Sequence, residues 1–377
     1  MTETPTPPAP PVRVPISVLT GFLGSGKTTL LSRLIRDPGM ARTAVVINEF
    51  GEVGLDHLLV AKADENTVLM DSGCICCTIR SDLAETLRDL FLKRLRGEVP
   101  EFDRVVIETT GLADPAPILH TLMTDPLVAA RFRLDGVVTT VDAVHGMGQL
   151  DRHEESLKQA AVADRLVLTK TDIAEKDLTE ALKARLRAIN PAAALLESGS
   201  EAVLPVLLFD AGLYNPATKS LDVQRWLRAE AYEEAAPHGH DHDGHDHGGC
   251  DHDHGHCAHD HDHDHHHHAH RHDDGIGAFC LTIDEPVGWD ELVGFLETLA
   301  RLRGPDLLRV KGILNVREAD RPVVIHGVQH LFHPPVQLEE WPTDDRRSRI
   351  VFITRELERP VVETLLRACL GGDAPAA

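Results

Sequence analysis

At 377 residues, 42% of them hydrophobic, the chain is long enough for two domains with buried cores. Its formal net charge of −22 argues against nucleic acid as a partner, because nothing in it forms a basic footprint. No run of about eighteen apolar residues occurs, so no membrane span and no membrane partner are expected.

Residues 1–11 are rich in proline and lack both the basic and the apolar region of a secretory signal, which reads as a disordered, proline-stiffened leader. Residues 14–20 (VPISVLT) read as a short buried strand, and residues 29–36 (TLLSRLIR) carry helical apolar spacing. Between them, residues 21–28 read GFLGSGKT, the G-x-x-x-x-G-K-[ST] phosphate loop. Gly21, Gly24, Ser25 and Gly26 let backbone N–H groups wrap a triphosphate, and the helix opening at Thr28 and Thr29 points its positive end at the anion. Lys27 can reach the β- and γ-phosphates, and the Thr28 hydroxyl can ligate Mg²⁺.

Four further Val/Ile-rich runs follow, at 43–49, 103–109, 135–142 and 164–170, with helical patterns between them. That alternation predicts an α/β P-loop NTPase fold with a mainly parallel sheet, occupying residues 12–228. Inside it, residues 74–77 read Cys-Ile-Cys-Cys, three of the chain's seven cysteines. Thiolates of Cys74, Cys76 and Cys77 at a tight turn suit Zn²⁺, although a closed structural site would want a fourth ligand. Clustered thiols without a disulfide framework fit a reducing, cytoplasmic setting; buried structural cysteine is the plainer alternative.

The strand at 103–109 ends in Glu108, followed by Thr109, Thr110 and Gly111. A carboxylate there can stand near Mg²⁺ and a following glycine near the γ-phosphate, though a strand-end acid also serves as a helix cap. Directly after the LVL run of the strand at 164–170 comes Thr169-Lys170-Thr171-Asp172. The Asp172 carboxylate can accept hydrogen bonds from guanine's N1–H and amino group together, a pattern adenine does not offer, and the Lys170 stem can cover the base plane. GTP is therefore favoured over ATP, with Thr169 standing where the usual GTPase motif has Asn.

Residues 229–274 form a linker in which 238–274 hold 17 of the chain's 24 histidines and ten aspartates against the single Arg271. Such a segment buries no core, and its imidazoles bind Zn²⁺, Ni²⁺ and Cu²⁺, which suggests a metal reservoir. Residues 275–377 read as β-α-β-β-β-α: strands at 277–283, 307–316, 321–328 and 348–354, and amphipathic helices at 289–303 and 360–370. That order predicts a small α+β domain with helices on one face of a mainly antiparallel sheet.

Taken in order, GFLGSGKTTLL, VVINEFGEVGLD, GCICCTIR, VVIETTGLADP and TKTD resemble the CobW-like family of metal-handling P-loop GTPases, and the last hundred residues are similar to that family's C-terminal domain. The resemblance implies a GTP-hydrolysing metallochaperone in which GTP and Mg²⁺ occupy residues 21–28 and residues 169–172 read guanine. It also implies that Cys74, Cys76 and Cys77 hold zinc, or cobalt or nickel in its place, and pass it to a metal-dependent client protein. By the same carry-over, residues 48–52 form the first switch, with Glu49 near Mg²⁺ or the cargo metal. Cobalt supply to cobalamin synthesis, a passive His-rich metal buffer and an ATP-dependent enzyme are the competing readings, and a homo-oligomer stays open.

Overall fold

The computed structural model describes residues 13–48, 68–71, 79–199, 205–209 and 275–371. Among them, seven strands form one parallel sheet: β1 (Val14–Gly21), β2 (Thr43–Asn48), β3 (Val68–Asp71), β4 (Arg104–Thr109), β5 (Phe132–Asp142), β6 (Arg165–Thr169) and β7 (Ala194–Glu197). Their spatial order is β3-β2-β4-β1-β5-β6-β7. β1 thus lies between β4 and β5, and the chain leaves it to either side, the kind of switch point where α/β sheets bind ligands beyond the strands' carboxyl ends.

Alternation along the strands assigns the two faces. Ile16, Val46, Val105 and Ile107 pack under α2 (Ile79–Arg96), which offers Leu83, Leu87 and Leu90 at one-turn spacing. Val45, Ile47 and Val106 face the other way, against Leu30, Leu31 and Leu34 of α1 (Lys27–Leu34). With both faces covered, the strands are the near-continuous apolar runs seen in the sequence. β5 begins at Phe132, earlier than its sequence pattern suggests, because Phe132 and Leu134 extend the buried alternation and Phe132 meets Phe91 of α2 edge-on at 5.9 Å. The four-residue strands β3 and β7 were not legible, being too short for a period to show.

The second sheet is antiparallel, with β8 (Ile276–Ile283), β9 (Leu307–Leu314), β10 (Val323–Val328), β11 (Leu331–Phe332), β12 (Val336–Gln337) and β13 (Ser348–Arg355). Phe279, Leu281, Val310, Ile350 and Phe352 bury one face beneath the long helices Trp289–Arg303 and Arg359–Cys369. The opposite face, with Ala278, Cys280, Val351 and Ile353, shares a core with Leu166, Leu182 and Leu186 of the first sheet's domain. One sheet is therefore sandwiched between its own helices and the first domain. The two-residue strands β11 and β12 are additions to the expected β-α-β-β-β-α order.

Asp164, just before β6, is closed into that junction. Its carboxylate accepts from the Val137 N–H at 2.9 Å, from Arg309 at 3.0 Å and from Lys311 on β9. Burial pushes its carboxyl up, but the Arg309 and Lys311 charges outweigh burial and hold it well below the usual carboxylate range. No helix among the described residues is long and apolar enough to cross a membrane.

Candidate functional site

The site grows from the glycines that turn β1 into α1. Gly21 has φ +144°, and a Cβ there would lie 2.2 Å from the Thr140 hydroxyl and 2.7 Å from that of Ser25. Gly24 and Gly26 sit at φ +74° and +87°, in the left-handed region that glycine takes without strain, and Gly26 caps the N-terminus of α1. A Cβ on Gly24 would meet nothing within 4 Å, so the outer side of the loop is open. The Lys27 ammonium folds back across this loop, donating to the Gly21 carbonyl at 2.9 Å and the Phe22 carbonyl at 3.2 Å. Thr29 faces solvent one residue beyond Thr28.

β4 supplies the opposing wall. It pairs with β1 so that Leu19 lies opposite Glu108, and this register brings the Glu108 carboxylate to the Thr28 hydroxyl, 2.6 Å from donor to acceptor. The two residues are 80 apart in the chain. Thr109 and Thr20 join hydroxyls at 2.8 Å beneath them, fixing β4 to β1 at the same level. Gly111 then passes so close to the loop that a Cβ would lie 2.5 Å from the Leu23 Cα, a contact only glycine allows.

The base-reading segment is tied to the same loop. The Thr169 hydroxyl donates to the Ser25 carbonyl at 2.7 Å, linking the end of β6 directly to the phosphate loop. Lys170 takes φ +57° and sends its ammonium to Asp142, 2.7 Å away. Asp142 also accepts from the Val144 N–H at 2.8 Å and pairs with the His145 ring at 3.1 Å. Burial raises the Asp142 carboxyl, but the bonds from Lys170, His145 and the backbone outweigh it and leave it below its ordinary value. Asp172 lies beyond, exposed to solvent.

The structure thus brings Gly21, Gly24, Ser25, Gly26, Lys27, Thr28, Glu108, Gly111 and Thr169 together at the carboxyl edge of the sheet, with Lys170 and Asp172 on the adjoining rim. Glu49, Cys74, Cys76, Cys77 and the histidine-rich segment lie outside the described residues. Among those described, no group of three or more His, Cys, Asp and Glu side chains is arranged to hold a metal ion. Sequence reasoning missed Asp142 and Thr140. Asp142 did carry a signal: like Glu108, it is the acid that closes an apolar strand.

Comparison with known proteins agrees with this geometry. Residues 15–197 match the CobW/HypB/UreG nucleotide-binding domain, and residues 276–370 match the cobalamin synthesis protein cobW C-terminal domain. Zinc chaperone YjiA of Escherichia coli K12 is 30% identical over 359 residues, covering 95% of this chain and 98% of the relative. Zinc-regulated GTPase metalloprotein activator 1 of Schizosaccharomyces pombe is 33% identical over 192 residues, covering 49% and 46%. The crystal structure of Zn(II)-bound YjiA GTPase from E. coli superposes with a TM-score of 0.63 at 26% identity, across 96% of this chain and 99% of that one. With a phosphate loop, a strand-end acid and both halves matched in order, the chain belongs to the CobW family and is a P-loop GTPase.

Proposed function

We propose that this GTPase is a metallochaperone: it carries zinc on Cys74, Cys76 and Cys77 and releases it to a metal-dependent client protein, in the cytoplasm, as GTP is hydrolysed. The observation that carries the reading is the Thr28–Glu108 bond at 2.6 Å, the joint between the phosphate loop and β4. Ile47 of β2 pairs with both Glu108 and Asp71, so β3 ends at the sheet's carboxyl edge, with β2 and β4 between it and β1. The names of the relatives, zinc chaperone and zinc-regulated GTPase metalloprotein activator, support zinc as the cargo and a metalloprotein as its recipient.

The Thr28 hydroxyl and Glu108 carboxylate are hard oxygen donors, a set that fits Mg²⁺. When bound, Mg²⁺ neutralises charge on the phosphate oxygens. Lys27 holds its ammonium over the loop where the β- and γ-phosphates would lie, and Gly111 keeps the following segment against that loop. Lys170, anchored on Asp142, lays its stem along the base, while Asp172 accepts guanine's two donors. By the family resemblance, Glu49 would belong to the first switch, near Mg²⁺ or the cargo metal.

The test compares zinc affinity with a non-hydrolysable GTP analogue and with GDP. A delivery cycle requires tighter zinc binding in the GTP state, and by reciprocity zinc tightens GTP by the same factor, about 5–150-fold. Replacing Cys76 and Cys77 with serine is expected to abolish that coupling and leave nucleotide binding intact. Equal zinc affinities in the two states would overturn the reading, and tight, nucleotide-coupled cobalt binding with weak zinc binding would move it to cobalt supply.

A further inference from the structure

Helix α3 (Glu154–Val162) touches both the nucleotide loops and the C-terminal sheet. His153, its cap, packs its ring on Phe22 of the phosphate loop with centroids 4.5 Å apart. Gln159 is 1% exposed and donates its amide to the Gly111 carbonyl at 3.2 Å and the Ala113 carbonyl at 2.9 Å. Lys158 adds a bond to Asp114 at 3.4 Å. The segment leaving β4 is thereby held at Gly111, Ala113 and Asp114 by two consecutive residues of one helix.

The same helix continues into the domain junction. Glu154 pairs with Arg355 on β13, and Asp164, two residues past the helix end, is locked to Arg309 and Lys311 on β9. Asn190 donates to the carbonyls of Ala160, Ala161 and Ala163 at 2.9–3.0 Å, fixing the exit between these two attachments. Displacement of the segment after Gly111 therefore acts on a stiff element whose far end is bonded to the C-terminal sheet.

We propose that Gln159 is a positioning residue for GTP hydrolysis and that its helix transmits the state of the segment 110–114 to the C-terminal sheet. The amide chemistry argues that packing alone does not explain this side chain. Its Oε1 is buried with no partner among the described residues, a cost that leucine would avoid. The opposite amide orientation would set Oε1 against two carbonyl oxygens, so both hydrogens are committed to the segment. Gly111 lies against Leu23 on one side and takes the Gln159 amide on its carbonyl. The proposal rests on GTP occupying the phosphate loop and is independent of which metal is carried.

The experiment combines kinetics with hydrogen exchange on the full chain. Gln159→Leu keeps the volume and removes both donors; kcat is expected to fall about 10-fold or more with KM for GTP within about twofold, and Gln159→Asn is expected to restore part of it. In the unmutated protein, amides of β9 and β10 are expected to exchange differently with a GTP analogue than with GDP, and Gln159→Leu is expected to erase that difference. Unchanged kcat in Gln159→Leu, or β9 and β10 exchange that ignores the nucleotide in the unmutated protein, would overturn the proposal. The second measurement stands even where the variant does not fold. Nucleotide binding measured directly by titration, with Lys27→Ala as control, separates failure of this relay from failure of the nucleotide site.

Discussion

At its carboxyl end β6 leads into Lys170, whose side chain is 36% exposed and bonded to Asp142; at its amino end it follows Asp164, closed in by Arg309 and Lys311 at 6% and 11% exposure. Both are strand-end carboxylates meeting cations, yet they serve different ends. The Asp142 cluster fixes one side of Lys170 and leaves the rest of its stem for a ligand. The Asp164 cluster has spent its charge on itself and joins two domains. The nucleotide site leaves Lys170 partly open to solvent, whereas the junction closes its two cations against a buried carboxylate, because in low dielectric an unmatched charge is strongly penalised.

Asp164→Asn is expected to break the junction most severely. It leaves two buried cations facing a neutral amide, a loss of about 3–5 kcal/mol measured as denaturant stability. GTP affinity of the fraction that remains folded is expected to stay within about twofold, a result that would keep the two regions separate. A variant as stable as the parent would show that Arg309 and Lys311 find other partners. Lys27→Ala is the converse experiment. It removes the ammonium that faces the phosphates, and kcat is expected to fall about 10²–10³-fold, or about 2.7–4 kcal/mol, while exchange protection across β9 and β13 persists. Residual turnover above a tenth of the parent's would remove Lys27 from the catalytic machinery.

The smallest effect concerns pH at the junction. Burial, with the Arg309 and Arg13 charges adding to it, lowers His333 to about 4, and burial lowers His326 well below its usual value beside Arg309, Lys311 and His333, against the opposing pull of Asp164. Below about pH 6.5 the unfolded chain binds protons at these positions that the native state refuses, so stability falls as pH drops from about 6.5 to about 4. Each group contributes a slope of no more than about 1.4 kcal/mol per pH unit. His333→Gln is expected to flatten the stability profile in that window. The stabilisation from Asp164 is fully present above about pH 4 and is lost only under stronger acid, so the two windows are separable; an identical profile in His333→Gln would refute the histidine assignment.

How much was legible follows from distance along the chain. The phosphate loop and the strand before it lie within a few residues of one another, so spacing and period expose them. Glu108 was readable as a strand-end acid, but its bond to Thr28 depends on β4 pairing beside β1 and not beside another strand. Gln159 gave no signal at all. In the sequence it is one polar residue in an amphipathic helix, and its partners Gly111 and Ala113 are 48 and 46 residues away. Arg309 and Lys311 alternate with apolar neighbours on β9 and read as solvent-facing until Asp164, 145 and 147 residues distant, is placed between them.

By itself the sequence determined the local chemistry: glycines where the backbone turns tightly around a phosphate, a lysine and threonine at the helix start, and apolar runs whose period separates strands from helices. These are properties of short stretches, set by sterics and side-chain spacing. Only the tertiary structure decided which ends meet. The consecutive buried residues Ala278, Phe279, Cys280 and Leu281 say that both faces of β8 are covered, but not that Trp289–Arg303 covers one and the nucleotide-binding domain the other. That choice depends on sheet order and on the fit of two apolar surfaces, together with the Asp164 carboxylate that pairs with Arg309 and Lys311 between them.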